Sequence, residues 1–203
     1  MRKFMGMIGA LIVLMTLVTG GICTAASVNW TQLYQSTQQA TGLEEQLINA
    51  TALVNLGQLG AAFDQIDAIM QEEDYLEFAQ DMQAKYTALL EKDTTNILYL
   101  NILGLVEWGL ANYGQASRYF QQLVALEPGN VWVRLFLAVT LWKQDEHQQA
   151  LEVLKAAHDL DKQNQYTHCL LAAVYFELRN YIRAAYHYLK CPDVRKEMAA
   201  RGF

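Results

Sequence analysis

The chain has 203 residues, enough for one domain with a core of its own. Hydrophobic residues make up 53% and charged residues 18%, which excludes a disordered chain. Setting aside Arg2 and Lys3, 13 basic residues face 21 acidic ones, and a body with a net charge of −8 repels phosphate backbones, so nucleic acid is excluded as a partner.

Residues 1–26 read as an address. Met1-Arg2-Lys3 is a positive start, Phe4 to Ile22 is uncharged and mostly apolar, and Thr24-Ala25-Ala26 precedes the polar run Ser27-Val28-Asn29. That order fits a secretory signal peptide cut after Ala25 or Ala26. The alternative is an uncleaved membrane anchor, because the apolar stretch is near the minimum spanning length; Gly6, Gly9, Gly20 and Gly21 weaken it as a span. A lipoprotein cut at Cys23 is disfavoured, since Ile22 stands where that processing wants a small residue. The body is expected outside the cytoplasm, in the periplasm or cell envelope, touching membrane only through this segment.

Residues 27–42 form an N-terminal segment whose apolar residues, Val28, Trp30, Leu33 and Tyr34, have no assigned place. Residues 43–92 read as a worn helical repeat plus an extra helix. Leu43–Leu56 and Gln58–Met70 make the pair, with Ala50 and Ala62 twelve apart. The helix over 75–91 carries Phe78, Met82, Tyr86, Leu89 and Leu90 as its apolar stripe and interrupts regular stacking.

Over about 97–191 the chain repeats itself at an offset of 34. Leu103, Leu137 and Leu171 coincide, each followed by a small residue (Gly104, Ala138, Ala172). Twelve residues on lie Ala116, Ala150 and Ala184, then Phe120, Leu154 and Tyr188, then Leu123, Ala157 and Cys191. Between the halves stand Tyr113, His147 and Tyr181, preceded by the turn-like Ala111-Asn112, Asp145-Glu146 and Arg179-Asn180. Two amphipathic helices packed as an antiparallel hairpin explain the spacing, with small residues where the backbones approach. Residues 192–203, opening with Pro192 and Asp193-Val194-Arg195-Lys196-Glu197, read as a charged C-terminal cap for the last exposed face.

With Leu103-Gly104, Tyr113, Ala116, Phe120 and the terminal Pro128, the first unit resembles the tetratricopeptide repeat family. Residues 131–164 match less fully, with His147 for the aromatic and Lys162 for the proline, and residues 165–191 stop early at Pro192. The resemblance implies an all-α, right-handed stack of antiparallel helix hairpins whose first helices line a concave, partner-binding surface. The positions it places there are Leu98, Trp132 and Tyr166; Asn101, Leu135 and Cys169; Leu105, Val139 and Ala173; and Trp108, Trp142 and Phe176. Only Asn101 and Lys143 match the polar residues with which one subset of the family grips a terminal carboxylate, so an amphipathic helix or a hydrophobic segment suits this face better. Two alternatives stay open. The aromatics serve packing between hairpins, or the groove is filled by Val28–Tyr34 or by a second copy, since a bare apolar patch is a solubility hazard.

No catalytic constellation and no cofactor motif is present: there is no phosphate-cradling glycine loop, no H-E-x-x-H and no G-x-S-x-G. His147, His158, His168 and His187 are scattered, with no pair three or four apart, and read as surface or interface residues rather than metal ligands. Glu72, Glu73 and Asp74 read as a solvated loop. Cys169 and Cys191 fall at adjoining ends of the last hairpin, where an oxidising compartment permits a disulfide; two reduced thiols are the alternative. Asn29-Trp30-Thr31 and Asn49-Ala50-Thr51 match glycosylation acceptors. The expected function is a non-catalytic adaptor that holds a protein or peptide partner in the envelope. A self-associating structural subunit is the second reading, and an enzyme the last.

Overall fold

The computed structural model describes residues 27–200 and holds eleven α-helices and no strand among them. They are α1 (Trp30–Thr37), α2 (Leu43–Asn55), α3 (Leu59–Met70), α4 (Tyr75–Leu90), α5 (Ile97–Gly109), α6 (Tyr113–Leu126), α7 (Val131–Lys143), α8 (His147–Leu160), α9 (Gln165–Glu177), α10 (Tyr181–Leu189) and α11 (Pro192–Ala200). The leader-like residues 1–26 lie outside the described residues, and no described helix is long and apolar enough to cross a membrane.

The repeat is written in the caps as well as in the core. Asn96, Asn130 and Asn164, each 34 residues after the last, cap α5, α7 and α9 by accepting from the backbone N–H of Tyr99, Val133 and Thr167. The hairpin turns share a left-handed residue at the first helix's end: Gly57 (φ 76°), Ala111 (59°), Asp145 (62°) and Arg179 (58°). Just after each, an N–H bonds a carbonyl five residues back, as Asn112 N does to Glu107 O at 2.8 Å and Asn180 N to Tyr175 O at 2.8 Å. These are Schellman closures, and three of the four are built without glycine at a cost of about 1 kcal/mol each.

Inside the hairpins Ala116 and Ala150 are fully buried, and the Phe120 ring lies against Gly104, where a methyl group would meet it at 2.6 Å. Phe120 also packs on Phe136 of the next unit, ring centroids 5.7 Å apart. Phe120, four positions after Ala116, therefore joins neighbouring repeats.

The helix over 75–90 is no stray insertion. α4 packs on α5 as α6 packs on α7 and α8 on α9, so it occupies the place of a second helix. The α2–α3 hairpin is thereby displaced from the line, and α2 lies against α5 and reaches α7. Lys85 and Tyr86 of α4 hold this arrangement through Glu44 of α2, at 2.6 and 2.7 Å. Burial and that carboxylate push the Tyr86 phenol well above its ordinary range. At the far end α11 packs on α9, where Gln165 donates to Asp193 (2.9 Å) and Tyr166 to Glu197 (2.8 Å).

Candidate interaction surface

The first helices α5, α7 and α9 carry the positions assigned to a concave face, and the chain itself covers the front half of that face. Asn101, Leu105 and Leu135 are buried. Leu105 sits among Leu47, Ile66, Met70 and Phe78 of the three preceding helices. Asn55, the last residue of α2, donates to Asn101 Oδ1 at 3.1 Å and accepts from Asn130 Nδ2 at 2.9 Å. Asn101 in turn donates to Ile97 O at 2.8 Å, which leaves it no role in gripping a carboxylate. The Gly57 backbone lies directly against the Trp132 ring, and that ring also meets Tyr166 edge-on, centroids 6.0 Å apart. No periodicity in the chain signals this cover. The segment offered for that place, Val28–Tyr34, instead contributes to α1, which packs on α2 with Asn49 donating to Thr37 Oγ1 at 2.9 Å. Asn49 is buried in a helix, so the Asn49-Ala50-Thr51 triplet is closed to glycosylation as folded, whereas Asn29 is exposed and caps α1.

The rear half is different. Val139 and Trp142 on α7, with Tyr166, Cys169 and Ala173 on α9, are partly exposed, as are Leu98 and Trp108 nearer the front. Trp108, Trp132 and Trp142 rest on the core with part of each ring, so their packing and exposure are mixed roles. Trp108 stands edge-on to Tyr113 at 6.3 Å, and its indole N–H has no partner. Trp142 flanks a shallow cleft completed by Lys143, Asp145, His147 and Glu177. Phe176, the third member of the Trp108–Trp142 series, is 62% exposed.

Three of the four histidines, which the sequence leaves scattered, meet where α8, α9 and α10 adjoin. The rings of His158, His168 and His187 lie 5.1 to 6.0 Å apart, and the Nδ1 atoms of His168 and His187 are 2.8 Å apart. One of those nitrogens must carry the proton and the other accept it, so both rings cannot be charged. Burial, then the neighbouring His168, His158 and Arg183, press His187 down to about 4, and burial likewise lowers His168. Among the described residues no group of three His, Cys, Asp or Glu side chains is arranged to hold a metal ion. Beside this cluster Cys169 and Cys191 form a disulfide, Cα atoms 5.7 Å apart. A spacing of 10 and 19 residues gives no helical signal for the histidines; only the hairpin register brings them together.

A model of the tetratricopeptide repeat matches residues 108–153, from the end of α5 into α8. The fold is similar to MamA, residue 41 to the end, from Desulfovibrio magneticus RS-1, at 16% identity over 84% of this chain and 98% of that one, TM-score 0.51. It is also similar to a MamA RS-1 ArsTM double mutant (17% identity, 83% and 84% covered, TM-score 0.51) and to MamA AMB-1 (17%, 82% and 83%, TM-score 0.50). At such identities the likeness is one of fold. A comparison with curated protein sequences finds no match.

Proposed function

We propose that this chain, a tetratricopeptide repeat protein, is a non-catalytic interaction scaffold that receives an apolar segment of a protein partner on the rear half of its concave face. One observation carries the reading: with the front half sealed by the chain's own α2–α3 hairpin, Val139, Trp142 and Ala173 remain partly exposed on neighbouring first helices. A partner helix or extended segment laid there gains an aromatic anchor with few charges to desolvate. Lys143 and Glu177 beside the cleft supply a polar rim.

The setting we propose is the cell envelope. The leader-like order of residues 1–26 supports export, and the Cys169–Cys191 pair suits an oxidising compartment.

The test is a photoreactive residue in place of Trp142 in the exported chain. A discrete adduct with another protein, lost when Val139 is replaced by Glu, is the expected outcome, and Trp142→Ala should weaken capture of that protein about tenfold or more while leaving the fold intact. Adducts only within the chain would sink the proposal.

A further inference from the structure

Leu160 and Phe63 aside (the Phe63 ring lies 6.4 Å from Phe136 of α7), every large apolar side chain that stands exposed among the described residues lies at one of two ends of the molecule. At the last hairpin Phe176, Tyr181, Ile182, Tyr186, Tyr188 and Leu189 are 54 to 87% exposed, and only Ala184 of α10 is buried. At the end of α3 and the start of α4 they are Met70 and Leu76.

The repeat itself shows that the last hairpin is special. Ile182, Tyr186 and Leu189 occupy the register held by Gln148, Glu152 and Lys155 one unit earlier and by Gly114, Arg118 and Gln121 before that. All six earlier residues but one are polar side chains, and the exception is a glycine. Tyr188, which corresponds to the buried Phe120 and Leu154, is a stacking residue left bare, but Ile182, Tyr186 and Leu189 stand outside that stacking register. At about 200 Å² for a fully exposed large side chain, the six exposures amount to roughly 800 Å², what one partner brings to a standard interface.

Charge names the occupant. Residues 27–177 hold 7 basic and 19 acidic side chains, whereas residues 178–203 hold 6 and 2. Arg179, Arg183, Lys190 and Lys196 stand exposed around the apolar end, with Lys190 over the Tyr186 ring and Arg195 over Tyr188, 4.1 Å from its centroid. At the opposite end Asp67, Glu72, Glu73, Asp74, Glu77 and Asp81 follow one another with no basic residue between, all exposed and none in an ion pair among the described residues. Each end thus presents exposed apolar residues inside a field of one sign, and the signs are opposite. A lipid surface would account for the basic end only, and the acidic body would be repelled from anionic headgroups.

We infer that the basic apolar end of one copy docks on the acidic apolar end of a second copy, so that the chain assembles head to tail. Such a contact uses different surfaces on the two partners and propagates into a ring or a filament. It involves neither Val139 nor Trp142 and stands apart from the partner-binding reading above.

Sedimentation velocity of the purified full chain tests this with two paired charge reversals, Arg179→Glu with Lys190→Glu, and Glu73→Lys with Glu77→Lys. The unaltered chain should grow in mass with concentration and lose that growth as salt rises. Each doubly reversed variant should associate at least about tenfold more weakly, and mixing the two should restore assembly, because every junction is again between opposite signs. Ile182→Ser should weaken assembly with an unchanged helix content, since that side chain is 87% exposed. A chain that stays monomeric at low salt, or a mixture that does no better than its components, overturns the inference. So does a monomer that floats with phosphatidylglycerol vesicles, which would assign the basic end to lipid.

Discussion

The seal over the front of the concave face can be tested at one atom. Gly57 has φ 76°, and a methyl group there would overlap the Trp132 ring, coming within 2.8 Å of Cε2 and 3.2 Å of Cη2. Gly57→Ala therefore carries two separate penalties. The left-handed backbone costs alanine about 1 kcal/mol, and a ring that must yield by roughly 1 Å in a packed setting adds about 1–3 kcal/mol. The expected loss is about 2–4 kcal/mol, read from urea denaturation with the midpoint and slope fitted together. Trp132→Ala removes the obstacle, so in that background Gly57→Ala should cost only the backbone part, a coupling of about 1–3 kcal/mol. Equal costs in the two backgrounds would mean that the hairpin does not rest on Trp132, and the front of the groove would have to be counted as open.

The histidine cluster predicts a pH dependence of fixed sign. His187 titrates near 4 when folded and near 6.5 when unfolded, so the unfolded chain binds more protons between those values and stability is lost as pH falls through that window. After allowance for solvent screening the loss is about 1–2 kcal/mol, and His187→Gln should narrow the stability difference between pH 7 and pH 4.5 in thermal melts; parallel curves for the two chains would refute it. Cys169 and Cys191 are 22 residues apart, and a loop of that size is worth about 3 kcal/mol when closed. Cys191→Ser or full reduction should lower the melting temperature accordingly, and free labelling of both thiols in the unreduced chain would contradict the bond.

The repeated hairpins were legible because their constraints are local and periodic. Ala116, Ala150 and Ala184 mark where backbones meet, and the structure puts them there. The caps Asn96, Asn130 and Asn164 lie on the same 34-residue offset, and asparagine before an apolar run is a helix-start signal of the same local kind. The left-handed turns at Ala111, Asp145 and Arg179 give no such signal, since none of these residues demands that conformation. The cover of the groove was illegible for another reason. It depends on α4 taking a second helix's place and on single meetings such as Asn55 with Asn101 and Asn130, 46 and 75 residues away in sequence, which no period encodes. By period alone Asn101, Leu105 and Leu135 belong to an open face that the chain keeps for itself, and the histidines show no relation within any one helix because their register runs across three.

The Cys169–Cys191 link sits on the hairpin with the least to hold it, for α10 buries one alanine where α6 and α8 bury four residues or more. In a linear stack each unit leans on its neighbours, and the outermost one is the first to fray. A covalent tie across that terminal unit moves the weak point inward, toward junctions that are packed on both sides. Thermal fraying should then begin at the opposite end of the molecule, and a reducing environment should reverse the direction from which the solenoid comes apart.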